Sequence, residues 1–215
     1  MTVPKPLDLI IAGVGGQGTL FASQVVAQAA FHQEISVRVA ESYGVAQRGG
    51  SVYSQIRLGY DVCGPLIPRG GCDIIVGLEP IEALRRAAEY LAPGGKVILN
   101  TFVRAPLETK MGEQPDLDAA TIRRELNKLK PSTVLELDAQ AIAADAGGPT
   151  TANVVMLGVL LCLDRCPLTS KTMAHALETV GSSKHIEANL LSLTKGHTHG
   201  ENLIQQVDLL PAESP

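Results

Sequence analysis

The stretch from Leu7 to Phe31, LDLIIAGVGGQGTLFASQVVAQAAF, reads as a buried strand, a glycine turn and a helix. Leu7, Leu9, Ile10 and Ile11 form the apolar run expected of an interior parallel strand. Gly13, Gly15, Gly16 and Gly18 supply the turn, and Leu20, Phe21, Val25, Ala27 and Ala29 follow at roughly helical spacing. Glycines 13, 15 and 18 fit G-x-G-x-x-G, in which missing side chains permit a sharp turn and a close approach of backbone to a ligand. Unpaired N–H groups at the start of a helix attract anions. Gly13, Gly15, Gly16, Gln17, Gly18 and Thr19 are therefore candidate contacts for a nucleotide-like or phosphate-like ligand. Tight packing of helix on strand would use the same glycines.

Outward from the turn, Ile35–Ala40 (ISVRVA) alternates as a second strand and leads into a loop, ESYGVAQRGG, from Glu41 to Gly50. Glu41 stands near the place where dinucleotide-binding folds keep an acid for the ribose. Tyr43, Gln47, Arg48 and Gly49 bring hydrogen-bonding groups and a fixed cation to a sharply bending loop. Such a loop suits a second ligand contact or an interface, and equally an exposed polar turn. Ser51–Leu58 alternates cleanly, as at a sheet margin or in an antiparallel insertion. Gly59 to Gly71 reads as a loop.

Asp73–Gly77 is a further buried strand, and Glu79-Pro80 opens a helix whose core face is Ile81, Ala83, Leu84, Ala87, Ala88 and Leu91. Its Glu82, Arg85, Arg86 and Glu89 are expected in solvent. Pro93-Gly94-Gly95 ends the helix, and Lys96–Asn100 returns as a parallel strand through a crossover. Val103 to Asp118 reads as a long loop, Ala119–Leu129 as a helix and Val134–Leu137 as a strand. Asp138 is placed to cap a helix over Ala139–Ala146. Ala152–Leu163 is apolar on most faces, a core helix capped by Thr150 or Thr151. Asn153 at its start either caps locally or points to a ligand crevice. Two helices finish the chain, Ser170–Thr179 and His185–Thr194, the latter terminated by Gly196. His197 and His199 fall in the tail beyond, without the carboxylate or cysteine support of a metal site. The end, PAESP, has the composition of a disordered terminus.

The 215 residues are 45% hydrophobic and 19% charged, ordinary for a folded chain, and imply one domain with its core over about 7–200. Eighteen basic against 22 acidic residues, net charge −4, with no Lys/Arg run, argue against nucleic acid. The chain shows neither a signal peptide nor a membrane-length apolar run, so no membrane role and a cytoplasmic location are expected. The four cysteines, 63, 72, 162 and 166, contain no Cys-x-x-Cys pair and no iron–sulfur spacing. Cys162 and Cys166 would share a helix face as ordinary thiols. These patterns define an α/β fold, a Rossmann-like, mostly parallel sheet flanked by helices, with further helices at the C-terminus.

The runs GVGGQGTLFAS (Gly13–Ser23), ESYGVAQRGGSVYSQIRLG (Glu41–Gly59), PLIPRGGCDIIVGLEPIEALR (Pro65–Arg85), PGGKVILNT (Pro93–Thr101) and NVVMLG (Asn153–Gly158) together resemble the gamma-type subunits of the 2-oxoacid:ferredoxin oxidoreductases. Within that family the smaller, beta-type subunit of the indolepyruvate enzymes is most similar. The segment from Arg104 to Asp118 carries none of the resemblance. The resemblance implies a complex that oxidatively decarboxylates a 2-oxo acid with coenzyme A, yielding an acyl-CoA, carbon dioxide and reduced ferredoxin. An arylpyruvate such as indolepyruvate is favoured, ahead of pyruvate, 2-oxoglutarate or a branched-chain 2-oxo acid. This chain lacks a Gly-Asp-Gly thiamine motif as well as cluster cysteines, so thiamine diphosphate, Mg and iron–sulfur clusters are expected on partner subunits, with ferredoxin as acceptor of the complex. No catalytic residue and no metal ligand is assigned here, and the chain alone should be inactive. The glycine turn and the Tyr43–Gly50 loop would hold the phosphates of coenzyme A or pack on the thiamine-bearing partner, with Arg48 the best single anion ligand. A free-standing NAD(P)-dependent dehydrogenase or nucleotide-binding module is the alternative from another class.

Overall fold

The structure, a computed structural model, describes residues 6–43, 50–59, 62–102 and 118–209. Among them a six-stranded sheet runs in the order β2-β3-β1-β4-β5-β6. The strands are β1 (Leu7–Val14), β2 (Val37–Tyr43), β3 (Ser51–Leu58), β4 (Cys72–Gly77), β5 (Leu91–Asn100) and β6 (Thr133–Leu137). β1, β4, β5 and β6 are parallel neighbours, whereas β3 is antiparallel to both β1 and β2. The alternating β3 is thus an antiparallel insertion and not a margin. It separates β2 from β1, so Glu41 lies two strands from the glycine turn's own strand.

Every residue of β1 is buried, because helices cover both faces of the sheet. Leu9 and Ile11 point into one core with α1 (Thr19–His32), α5 (Ala152–Leu160), α6 (Ser170–Val180) and part of α4 (Ala139–Asp145). Ile10 and Ala12 point into the other, beneath α2 (Pro80–Tyr90) and α3 (Ala119–Lys128). The caps follow from local chemistry: Glu79, Asp118 and Asp138 each accept a backbone N–H of the helix they precede. α2 ends at Tyr90, and strand pairing resumes at Leu91 with a register shift opposite Cys72–Ile74, where Gly94 takes φ +72°.

The last helix, α7, runs unbroken from Ile186 to Asp208, so Gly196 does not stop it and the core extends past residue 200. A Cβ on Gly196 would fall on the Val155 carbonyl of α5, and one on Gly158 would fall on the Leu193 carbonyl of α7. These glycines are facing notches that let the two helices cross closely, a tertiary use of a residue that is locally a helix breaker. His197 and His199 therefore sit on one helix two positions apart, where side chains do not face each other. α5 ends at Leu160, which leaves Cys162 and Cys166 in the following turns and not on a helix face. Glu82 is fully buried instead of solvated. The first turn of α2 meets the start of β3, where the Ser51 hydroxyl donates to Glu82 at 2.5 Å and Arg85 pairs with the same carboxylate.

Candidate functional site

The glycine turn lies at the carboxyl ends of β1 and β4 and is braced from within. Gly15 N–H donates to the Gly50 carbonyl (2.9 Å) and Gln17 N–H to that of Val14 (3.1 Å). The Gln17 side chain accepts from Val14 N–H at 2.8 Å and donates to the Leu78 carbonyl at 3.1 Å. Gln17 is thus a strut between two strand ends as well as a candidate ligand contact. Its Oε1 would stand 2.7 Å from a Cβ at Gly13, which explains the glycine there. Gly18, at φ +78°, is the N-cap of α1, and no acidic residue occupies that helix's first turn. The Asn153 amide donates to the Gly18 carbonyl at 3.1 Å and occupies the space a side chain at 18 would need. Its Oδ1 accepts the neighbouring Val154 N–H at 3.0 Å, so Asn153 combines a local contact at the helix start with a place on the border of the crevice.

That crevice is a cleft of about 950 Å³ bordered by Gly16, Gln17 and Gly18 on one side. The starts of α4, α5 and α7, the end of α6 and the carboxyl end of β5 form most of the rest. Asn100 ties its floor together, donating to the Leu78 carbonyl (3.0 Å) and to Gln140 Oε1 (2.9 Å) while accepting the N–H of Ala139 (3.0 Å). No Asp, Glu, Lys or Arg borders the cleft among the described residues, and His185 is its one titratable group. An anion there would be met by backbone N–H groups and neutral amides.

Of the residues proposed from sequence, Gly16, Gln17 and Gly18 border this cleft; Gly13 and Gly15 sit behind them in the strand and turn. Thr19 is buried, and its hydroxyl finds no hydrogen-bond partner among the described residues. Tyr43 ends edge strand β2, paired with Val52, and is not part of a loop. Gln47, Arg48 and Gly49 lie outside the described residues. Glu41 accepts from the Ser23 hydroxyl at 3.4 Å and does not border the cleft. Sequence reading missed Asn100, Gln140, His185 and Asn189. Asn100 was accessible to it, because a polar residue closing an apolar parallel strand marks the ligand end of such a sheet.

One further feature belongs to this end of the molecule. Glu79 is fully buried, and one of its oxygens has no hydrogen-bond partner among the described residues; burial, with the neighbouring Glu82 charge adding to it, pushes its carboxyl up to about 7. Burial also pushes the Cys162 and Cys166 thiols up to about 11, the environment of inert cysteines and not of reactive ones. No group of three or more His, Cys, Asp or Glu is placed to hold a metal among the described residues.

The fold is shared with two solved gamma-type subunits. One, from Geobacter sulfurreducens, is a keto/oxoacid ferredoxin oxidoreductase gamma subunit, similar over 90% of this chain and 98% of its own (TM-score 0.65, 20% identity). The other, pyruvate oxidoreductase subunit PORC of Thermotoga maritima, covers 90% and 96% (TM-score 0.66, 22% identity). Residues 8–198 match the family model described as pyruvate ferredoxin/flavodoxin oxidoreductase, and the chain belongs to that family. The indolepyruvate oxidoreductase subunit IorB of Archaeoglobus fulgidus is 40% identical over 89% of this chain and 94% of its own length.

Proposed function

We propose that this chain is the small subunit of an indolepyruvate-type oxidoreductase complex, which converts an arylpyruvate and coenzyme A to an aryl-acetyl-CoA and carbon dioxide, passing the electron pair to ferredoxin. The observation that carries the reading is its 40% identity to an IorB subunit across nearly the whole length of both chains. Thiamine diphosphate with Mg and the iron–sulfur clusters belong to partner subunits; the thiamine group supplies decarboxylation and the clusters take the electrons. The contribution of this chain is to bind and shape. The backbone N–H groups of the Gly16–Gly18 turn and the open start of α1 hold phosphate oxygens of coenzyme A, and the cleft encloses the group attached to them. Arg48, whose guanidinium can pair bidentately with a phosphate, is assigned in this reading as the cationic phosphate ligand, with Tyr43, Gln47 and Gly49 beside it in sequence. The whole chain serves as one domain of a cytoplasmic complex and has no turnover alone.

The test is anaerobic purification of the native complex through this chain, followed by visible absorbance, thiamine assay and turnover on aryl, branched-chain and dicarboxylic 2-oxo acids. A brown, thiamine-bearing partner and a preference for arylpyruvates are expected, with no turnover from the isolated chain. Arg48→Ala should raise the KM for coenzyme A. A colourless chain that purifies alone, or a complex indifferent to aryl substrates, overturns the reading.

A further inference from the structure

The run PLIPRGG (Pro65–Gly71) takes no part in the cleft; it leads into β4 and so lies at the amino ends of the strands, the opposite pole of the sheet. It is fixed at several points. Ile67 is a buried peg, 3% exposed, and its N–H donates to Gln55 Oε1 at 2.6 Å. Arg57, whose guanidinium is held by Asp8, donates to the Gly64 and Leu66 carbonyls, each at 3.4 Å. Gly71 N–H closes a turn onto the Pro68 carbonyl at 3.0 Å, and Gly70 N–H reaches the Glu89 carbonyl of α2 at 3.2 Å. This firmly held loop nevertheless displays Leu66, 66% exposed, with Pro68 and Arg69 exposed beside it. An apolar side chain on a loop whose conformation is already fixed loses little entropy when a partner covers it.

The charges around the loop are unevenly matched. Arg38 stands directly opposite Arg57 in the β2–β3 register, so the two side chains share a face of the sheet, an arrangement that is unfavourable for like charges. Asp8 answers Arg57. Arg38 is exposed, and its one hydrogen bond among the described residues is to the adjacent Val37 carbonyl at 3.0 Å. Glu89 is shared between Arg69 and Arg86, each at 3.2 Å. Among the described residues the surroundings of the loop thus hold more guanidinium than carboxylate, on a chain whose net charge is −4. A second copy of the chain would set these cations against their own kind, whereas a carboxylate-bearing surface complements them. We infer that Leu66 and Arg38 form a docking knob for the partner subunit of the complex, Leu66 filling an apolar pocket there and a carboxylate of the partner pairing with Arg38. The inference rests on the reading above of this chain as one subunit of a larger complex.

The experiment measures subunit affinity in the purified complex, by sedimentation over a dilution series at several salt concentrations, for the wild type, Leu66→Asp and Arg38→Glu. Alongside it, maleimide labelling of Cys63, the exposed one of the four cysteines, is compared in the isolated chain and in the complex. Leu66→Asp is expected to weaken association by about tenfold or more. Arg38→Glu should weaken it by about threefold to tenfold and flatten its dependence on salt. Cys63 should be shielded in the complex. Both substituted side chains are exposed, so neither change enters the core, and circular dichroism establishes that each variant is folded. Wild-type affinity in a folded Leu66→Asp variant overturns the inference and, since the complex still forms, leaves the functional reading standing. If that variant does not fold, Arg38→Glu decides, and unchanged affinity and salt dependence are then the overturning result. A homodimer that Leu66→Asp dissolves identifies a second copy as the occupant and overturns the assignment to the partner. A complex that assembles through Leu66 yet is indifferent to arylpyruvates overturns the functional reading alone; a wild-type chain without a thiamine-bearing partner overturns both.

Discussion

The two ends of the sheet treat buried polar groups in opposite ways. At the amino ends of β1 and β4, Asp8 and Asp73 are almost fully buried, and each has a guanidinium. Arg57 grips Asp8 with two donors, at 2.7 and 3.2 Å, and Arg165 pairs with Asp73, while Asp73 also accepts the backbone N–H of Asp8 at 3.0 Å. Arg57 reaches on to the Gly64 and Leu66 carbonyls and ties the loop before β4 to the sheet. At the carboxyl ends, by contrast, an oxygen of Glu79 and the Thr19 hydroxyl are buried without partners among the described residues, and Asn189 borders an open cleft. One end is closed with its charges matched; the other keeps unspent hydrogen-bonding capacity. The first end is built for stability, and the second is the one to which the proposed function assigns binding.

The comparison can be broken most directly at its closed end. Arg57→Ala strands the buried Asp8 carboxylate and should lower unfolding free energy by about 3 kcal/mol, measured by urea denaturation. A change below about 1 kcal/mol would mean that this end is no better organised than the other. At the open end Gly18→Ala forces a side chain into a left-handed backbone conformation and against Asn153, for a cost of about 2 kcal/mol. It should also weaken anion binding at the turn, read by competition with inorganic phosphate.

Glu79 sharpens the contrast through pH. Its folded carboxyl titrates near 7 against 4.5 when free, so the native state binds the extra proton between those values. Stability is then greatest below about 4.5 for this group, falls as pH rises through the window, and levels off above 7. Glu79→Gln removes that dependence and should be more stable than the parent at pH 8 by up to roughly 3 kcal/mol, with little difference at pH 5. Parallel stability profiles for parent and variant from pH 5 to 8 would show that the carboxyl is not held in this way. The smallest effect is expected from Thr19→Val. It exchanges an unpartnered buried hydroxyl for a methyl, so the unfolding midpoint should hold or rise, by less than about 1 kcal/mol.

Much of this architecture was legible in the chain because it rests on short-range chemistry. The apolar run from Leu7 to Ile11, the glycine turn, and the acids Glu79 and Asp138 ahead of their helices act over a few residues, and each is found where its local pattern places it. Ser51–Leu58 announced its alternation but not its neighbours. Placing β3 between β2 and β1 depends on pairing with two distant strands, and that position removes Glu41 from the ribose-reading role its spacing suggested. Gly196 misled for the same reason. A glycine ends a helix when the chain turns away, and continues it when another helix must approach its backbone, as α5 does at Val155.

The candidate site divides along the same line. Gly16, Gln17 and Gly18 could be named from spacing alone, since a strand–turn–helix exposes its N–H groups wherever it occurs. The opposite wall could not. Asn100, Gln140 and Asn189 are scattered over some ninety positions and are polar residues of ordinary kinds; only the packing of β5, α4 and α7 brings them to one cleft. Sequence thus settled the strand and helix periods, the turn and the family, because those are carried by neighbouring residues and by runs of matching identity. The sheet order, the closed and open ends, and which polar side chains lack a partner were left to the folded structure, because burial and hydrogen bonding are properties of the completed packing.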